Sequence, residues 1–379
     1  MPELQNLALY IHWPFCLSKC PYCDFNSHVR ASIEEDAWEE ALLKELDHTA
    51  ARLGPRHLTS IFFGGGTPSL MRPRTVEALI RKALGYWSPT PNIEITLEAN
   101  PNSVEVSKFQ DLKAAGVNRV SIGIQALNDP DLKQLGRQHS AAEGIKAIET
   151  AIKTFERASF DLIYARPHQT VEAWRQELAQ AMSFGTEHIS LYQLTIEPGT
   201  AFAPLYERGE LIIPGEDLAA DLFELTQQQT KAAGLPAYEI SNHARPGAES
   251  RHNISYWQYQ DYAGVGPGAH GRLTLPEGKV ATKQYRAPET WMKAVMNGSG
   301  EEEAILLSAQ DQETEALMMG LRLTAGLELP SFKSTIIDPE GLRILIEGGY
   351  LLKTDNTLRA TPLGLQCLNG VLKRLLSPE

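Results

Sequence analysis

Cys16, Cys20 and Cys23 are spaced C-x3-C-x2-C, directly after the apolar run from Leu7 to His12. They are three of the four cysteines in a chain of 379 residues. Soft thiolates gathered this closely suit a metal or an iron–sulfur cluster. A structural zinc wants four protein ligands, and His12, Asp24 or His28 could complete such a knuckle. A cubane held by three cysteines instead leaves one iron open to a further ligand. A disulfide framework fits poorly: four cysteines are few for a stapled secreted chain of this length, and Met1-Pro-Glu-Leu-Gln5 lacks the pattern of a signal peptide.

The elements that must position these cysteines repeat one unit up to about residue 195: a short apolar run, a Gly/Pro/Asn-rich turn, then a helical pattern. The runs are Leu7 to His12, Leu58 to Phe63, Ile93 to Leu97, Arg119 to Ile124, Phe160 to Ile163 and His188 to Leu194. Strands alternating with helices indicate a parallel β/α architecture. Six units are too few for a full eight-stranded barrel, and composition alone leaves an open doubly wound sheet and a partial barrel both standing. The first helix is expected to open with a capping box, Ser32 with Glu35, and to carry Ile33, Ala37, Ala41, Leu42 and Leu46 on one face.

In such folds ligands sit beyond the carboxyl ends of the strands. After the second run comes Gly64-Gly65-Gly66-Thr67-Pro68, which reads either as a tight turn or as backbone brought close to a ligand. The third run ends in Glu98-Ala-Asn100-Pro101, the fourth in Gln125, and the fifth holds Asp161. Polar groups at these places are costly to bury unless something compensates them.

Composition narrows the function classes. With 42% hydrophobic and 22% charged residues the chain can bury a large core. A net charge of −12 opposes binding to nucleic acid, which rests on cations neutralising phosphates. No apolar run approaches the roughly 20 residues of a membrane span. The expected location is the cytoplasm, with membrane association at most peripheral and through partners.

C-x3-C-x2-C with Tyr22 between the last two cysteines resembles the radical S-adenosylmethionine (SAM) signature, in which SAM chelates the open iron of a [4Fe–4S] cluster. The resemblance implies a partial (β/α)6 barrel. By the same resemblance, Gly65, Gly66 and Thr67 belong to a SAM-binding turn, Glu98, Gln125, Arg137 and Asp161 match positions that hold SAM, and Tyr10 lies beside its adenine.

Beyond residue 195 a helix carrying Leu218, Leu222, Phe223, Leu225 and Thr226 is expected, then a strand over Ala237 to Ser241. Arg251-His252-Asn253-Ile-Ser-Tyr256-Trp257 follows, then Gly264-Val-Gly266-Pro-Gly268-Ala-His270-Gly271, a loop whose backbone should lie close to something else. A histidine with an aromatic pair can ligate iron or stack on a flat macrocycle, or it can simply pack a polar–aromatic corner. H-N-x-x-Y-W at His252 to Trp257 resembles the motif of the HemW-type family, radical-SAM haem chaperones related to oxygen-independent coproporphyrinogen III dehydrogenase. The resemblance runs from Tyr10 to the C-terminus. It implies haem as cargo, haem-requiring respiratory proteins as recipients, and His252, Tyr256 and Trp257 as haem-contact residues; no residue is assigned a catalytic role.

The rival reading is the dehydrogenase itself, which decarboxylates coproporphyrinogen by radical chemistry. Such enzymes resemble C-x3-C-x2-C-x-C, where this chain has Phe25, and carry a longer segment before the cluster, where this sequence has 15 residues before Cys16. Both departures favour the chaperone. A zinc-stabilised binding module is the third class.

The last hundred residues suggest helices at Glu313 to Leu323 and Pro339 to Glu347, a hairpin of Tyr350 to Lys353 with Leu358 to Thr361, and a helix from Pro362. This pattern reads as a small winged-helix-like α+β domain with a docking or structural role. Cys367, at helical spacing from Val371 and Leu375, is expected to be a core thiol rather than a fourth cluster ligand. The expected organisation is a barrel over residues 1–200, an extension carrying the H-N-x-x-Y-W motif over 201–300, and the small domain over 301–379.

Overall fold

Six apolar runs of β-branched and aromatic residues become six neighbouring parallel strands: β1 (Asn6–Trp13), β2 (His57–Gly65), β3 (Ser88–Ala99), β4 (Arg119–Gln125), β5 (Arg157–Tyr164) and β6 (His188–Gln193). The computed structural model describes residues 4–328 and 336–376. Strands buried on both faces read as near-continuous apolar runs, which is why each was visible from composition. Later strands extend the sheet at both edges. β7 (Asn242–Ala244) pairs antiparallel with β6, while β8 (Tyr262–Val265) pairs parallel with β1 on its other side. An antiparallel meander of β9 (His270–Leu275), β10 (Gly278–Gln284) and β11 (Glu301–Leu306) continues from β8. The resulting eleven-stranded sheet is open, with β11 and β7 at its two edges.

Helices between the parallel strands cover the sheet. α1 (Glu35–Leu53) and α2 (Pro73–Tyr86) follow β1 and β2, α3 (Ala141–Thr154) follows β4, α4 (Val171–Ser183) follows β5, and α5 (Glu216–Ala232) follows β6. Their inward residues join one apolar core with the strands, running from Leu7 and Leu9 through Leu42, Leu79, Ile148, Trp174 and Leu222 to Trp291. A second core holds Phe223 of α5 against Leu317, Leu345, Leu351, Leu358 and Leu375, so the C-terminal elements are seated on α5 by shared burial. Those elements are α8 (Ala309–Gly320), α9 (Pro339–Glu347), a hairpin of Leu351–Lys353 with Thr357–Ala360, and helices Pro362–Gln366 and Leu368–Leu375; α6 (Arg251–Trp257) and α7 (Pro288–Met296) lie between.

Several expectations are corrected. Ser32 does not cap α1: the helix starts at Glu35 behind Glu34, with no side-chain cap, and Ala37 is exposed while Trp38 takes the buried position. Glu35 instead accepts the backbone N–H of Arg72 at 3.1 Å, an interaction with the entry to α2. A working capping box is found at α3, where Ser140 and Glu143 exchange hydrogen bonds. Ala237 to Ser241 is not a strand: Ala237 and Glu239 make isolated bridges, and the Glu239 carboxylate folds onto the Ser241 N–H and the Asn242 amide. α8 begins earlier than expected, at a Ser308–Asp311 capping box. Cys367 is exposed, because the last helix breaks there at φ −120 and ψ 35, turning Leu368, Val371, Leu372 and Leu375 inward instead. β8, a seventh parallel strand, was hidden in a glycine-bearing stretch of four residues; its register with β1, Ala8 to Tyr262 through Ile11 to Val265, defines it.

Candidate functional site

The polar residues at the strand ends converge. Cys16, Cys20 and Cys23 line one cavity with Gly65, Gly66, Thr67, Glu98, Asn100, Gln125, Arg137 and Asp161. All but Asp161 lie on the segment after β1 or at and beyond the carboxyl ends of β2 to β4, while Asp161 lies within β5, three residues before its end. Among the described residues no group of His, Cys, Asp and Glu is arranged to hold a single metal ion. A cubane asks something different, one thiolate to each of three irons.

Hydrogen-bond donors are aimed at the sulfurs. The Thr67 hydroxyl reaches Cys16 Sγ at 3.4 Å, Arg137 Nη1 reaches Cys20 Sγ at 3.4 Å, and Ser27 Oγ lies 3.8 Å from Cys23 Sγ. Burial pushes the Cys16 and Cys23 thiols up, and these donors work against it. Asn100 ties the donors together: its amide donates to Thr67 Oγ1 at 3.0 Å and its carbonyl accepts from Arg137 Nη2 at 2.6 Å. Arg137 also donates to the Gly123 carbonyl at 2.7 Å, while its Nε has no partner among the described residues.

His12, named above as a possible zinc ligand, has both ring nitrogens engaged: Nδ1 with Tyr10 OH at 3.0 Å and Nε2 with the Asn26 carbonyl at 2.9 Å. Burial pushes its pKa down to about 4. His28 Nε2 meets Asn26 Oδ1 at 3.2 Å. Neither histidine lines the cysteine cavity.

The glycine turn is required by contacts of the backbone itself. Gly65 has φ +109, and a Cβ there would lie 2.4 Å from the His12 ring; at Gly66 it would lie 2.6 Å from the Phe15 carbonyl oxygen. Gly65 N–H donates to Glu98 Oε2 at 3.2 Å. Burial, and then the neighbouring charge of Asp161, push the Glu98 carboxyl up to about 8. Asp161 is raised as well by burial, opposed by hydroxyls of Ser190 and Ser121, the latter donating at 3.1 Å. Gln125 lies in the left-handed region at φ 74, at a register shift between β4 and β5, a strained conformation of the kind found at ligand clamps. Two carboxyls and a guanidinium with a free N–H therefore share one cavity, the donor set suited to a ligand bearing an amine, a carboxylate and hydroxyls.

His252, Tyr256 and Trp257 lie on α6 and part company. His252 is 1% exposed, stacks on Phe62 with ring centroids 4.9 Å apart, and has both nitrogens occupied, Nδ1 by Ser60 Oγ at 2.9 Å and Nε2 by Tyr256 OH at 2.5 Å. Burial pushes it down to about 3, an uncharged ring. It lines a small polar cavity with Tyr10, Glu98, Asp161 and Tyr192. Tyr256 stands between that cavity and a second space, which Trp257 lines and His252 does not: an apolar groove of about 430 Å³ bordered also by Tyr10, Phe25, Gly65, Glu98, Tyr262, Ala269, His270 and Met319. Phe25, Gly65 and Glu98 border both this groove and the cysteine cavity, so the two are contiguous.

The glycine loop after β8 approaches the chain's own cysteine-bearing segment and the end of β1. A Cβ at Gly266 would lie 2.4 Å from the His12 carbonyl oxygen, and one at Gly268 would lie 2.7 Å from Asn26 Nδ2. Asn26 donates to the Pro267 and Arg286 carbonyls at 3.0 and 2.9 Å, pinning the two loops together. Sequence reasoning noticed Asn100 and His270 only as members of motifs, and it missed Asn26, Ser27 and Met319. A polar residue one or two positions past a strand end was the available signal for Asn100.

Residues 10–181 match the family model of the radical SAM superfamily. The chain is 36% identical to the heme chaperone HemW of Escherichia coli (strain K12) over 386 residues, covering 100% of both chains. This protein belongs to the HemW family. HemW of Bacillus subtilis (strain 168) is 33% identical over 378 residues, 97% of this chain and 99% of that one. A mitochondrial radical S-adenosyl methionine domain-containing protein 1 from Bos taurus is 39% identical over 392 residues, 99% of this chain and 88% of that one. Among solved structures, coproporphyrinogen III oxidase (HemN) from Escherichia coli superposes with a TM-score of 0.81 at 19% identity, covering 98% of this chain and 90% of that one, a likeness of fold. The HemW-family chain thus has the mixed α/β radical-SAM fold with a small C-terminal antiparallel sheet.

Membership in the radical-SAM superfamily implies a [4Fe–4S] cluster and SAM. The donor set fits both: three thiols with hydrogen-bond donors on their sulfurs, and beside them acceptors and a cation for an amino-acid moiety. Cys16, Cys20 and Cys23 would hold such a cluster, and a bound cluster would supply the one-electron redox chemistry on which radical-SAM reactions depend.

Proposed function

We propose that this HemW-family chain is a haem chaperone, which binds haem in the apolar groove beside the cluster cavity and passes it to haem-requiring respiratory proteins. The observation that carries the reading is the groove itself. Its volume lies within the roughly 300–1,000 Å³ of small-molecule sites, its walls include three tyrosines and a tryptophan, and it opens onto the cluster site through Gly65 and Glu98. Flat aromatic and thioether walls suit a macrocycle. His252 acts from behind the wall, holding Tyr256 by its hydroxyl. Two of the three relatives named above are called heme chaperones, which agrees with this reading.

Within the cluster site, Cys16, Cys20 and Cys23 hold the cubane. Arg137, Glu98, Gln125 and Asp161 hold the carboxylate, amine and ribose of SAM, Gly65, Gly66 and Thr67 form the turn beneath it, and Tyr10 lies beside its adenine. The chain works in the cytoplasm. No helix among the described residues is long and apolar enough to cross a membrane, so any contact with membrane-bound recipients is made through those recipients.

The test against the dehydrogenase is anaerobic incubation with coproporphyrinogen III, SAM and a low-potential reductant. The chaperone reading expects less than one turnover per chain. Multiple turnover overturns it in favour of radical decarboxylation.

A further inference from the structure

We infer that His270, rather than His252, supplies the protein's ligand to the haem iron; the inference rests on the haem reading above. His252 has no nitrogen to offer. Its ring is 1% exposed, both nitrogens are hydrogen-bonded, and it faces the polar cavity behind Tyr256 instead of the groove. Ligation there would require breaking the Ser60 or the Tyr256 bond and moving the Phe62 stack.

His270 has what His252 lacks. It is exposed, it lines the apolar groove with Tyr256, Trp257, Tyr262 and Met319, and no hydrogen bond engages its ring among the described residues. Its backbone is firmly held, which matters for a ligand that must not drift. It opens β9, pairs with Lys283 of β10, and lies against Gly264, where a Cβ would approach the His270 carbonyl oxygen to 2.2 Å. The side chain is therefore a free imidazole on a fixed strand end, at the border of an aromatic groove.

The charge around it fits the cargo. Arg272, Lys283 and Arg286 are the cations close enough to act on His270. Arg272 is paired with Glu315 at 2.7 Å and Lys283 with Glu302 at 3.0 Å, whereas Arg286 is exposed and has no ion pair among the described residues. Haem carries two propionates beside an apolar ring, and a groove with aromatic walls and an unpaired guanidinium near its imidazole matches both halves.

The experiment is a haemin titration of the full-length, cluster-reconstituted protein, comparing wild type, His270→Ala, His270→Gly and His252→Gln, with folding followed by circular dichroism. Because His270 is exposed, its variants should fold as the parent does. Wild type should saturate with a shifted Soret band. His270→Ala should weaken apparent affinity at least about tenfold and move the Soret maximum, and free imidazole added to His270→Gly should restore the wild-type band. A saturating wild type with an unchanged His270→Ala spectrum and affinity overturns the ligand assignment and leaves the haem reading standing. A folded His252→Gln that loses the ligand band while His270→Ala keeps it also overturns the assignment. A wild type that never saturates overturns the haem reading itself.

Discussion

Glu98→Gln isolates the electrostatic state of the cavity beside the three cysteines. In the ligand-free protein burial, with help from Asp161, holds the Glu98 carboxyl at about 8, against an ordinary 4.5. The unfolded chain releases this proton near the ordinary value, while the folded chain keeps it. Between those two pH values the folded state binds more protons, so the group makes stability fall as pH rises. A tenfold change in proton affinity on folding corresponds to about 1.4 kcal/mol, and between pH 6 and pH 8 the loss works out at about 2 kcal/mol. Glutamine keeps an oxygen for the Gly65 N–H but cannot ionise. Urea denaturation of cluster-free protein at pH 6, 7 and 8 should therefore show wild type losing about 2 kcal/mol more than Glu98→Gln over that range. His12, whose pKa is pushed down to about 4, titrates equally in both proteins and cancels in the comparison. Parallel stability profiles for the two proteins would refute the reasoning.

Other outcomes follow from the same geometry. Cys20→Ser, assayed anaerobically for iron, should fall from about four irons per chain to near none, and retention of the cluster would remove the cysteine assignment. Arg137→Met removes the cationic donor to the Cys20 sulfur; redox titration by electron paramagnetic resonance should find the cluster potential lowered, on the order of 60 mV, the one-electron equivalent of a tenfold change. An unchanged potential would show that the contact does not tune the cluster. Gly65→Ala places a Cβ against the His12 ring at a left-handed φ of 109, and thermal unfolding should show a loss of about 2 kcal/mol or more. A change within about 0.5 kcal/mol would be the behaviour of an ordinary surface site instead.

The parallel sheet was legible because buried parallel strands write themselves as apolar runs: all six expected strands are present, each longer than its run or within a residue of it. The cluster cavity was legible because β/α folds gather strand ends, so Glu98, Gln125 and Asp161 could be grouped without knowing their distances. What escaped depended on tertiary pairing. Tyr262 to Val265 is a strand only because β1 offers it a register. Ser32 looked like a cap, yet Glu35 was already committed to Arg72. Cys367 kept helical spacing with Val371 and Leu375, but a break in the helix carried it to the surface. For His252 the motif was plain and its surroundings were not: Ser60 and Phe62 come from β2, some 190 positions earlier, and no local pattern announces that they close over its ring. His270 lay in a run of glycines whose purpose, close approach to His12 and Asn26, appears only in three dimensions.

Haem binding to the groove is the central claim, and an equilibrium titration of anaerobically reconstituted protein with haemin, followed at the Soret band, tests it most directly. The account predicts a shifted band that saturates at about one haem per chain, as a single aromatic groove requires. A linear, non-saturating rise would contradict it.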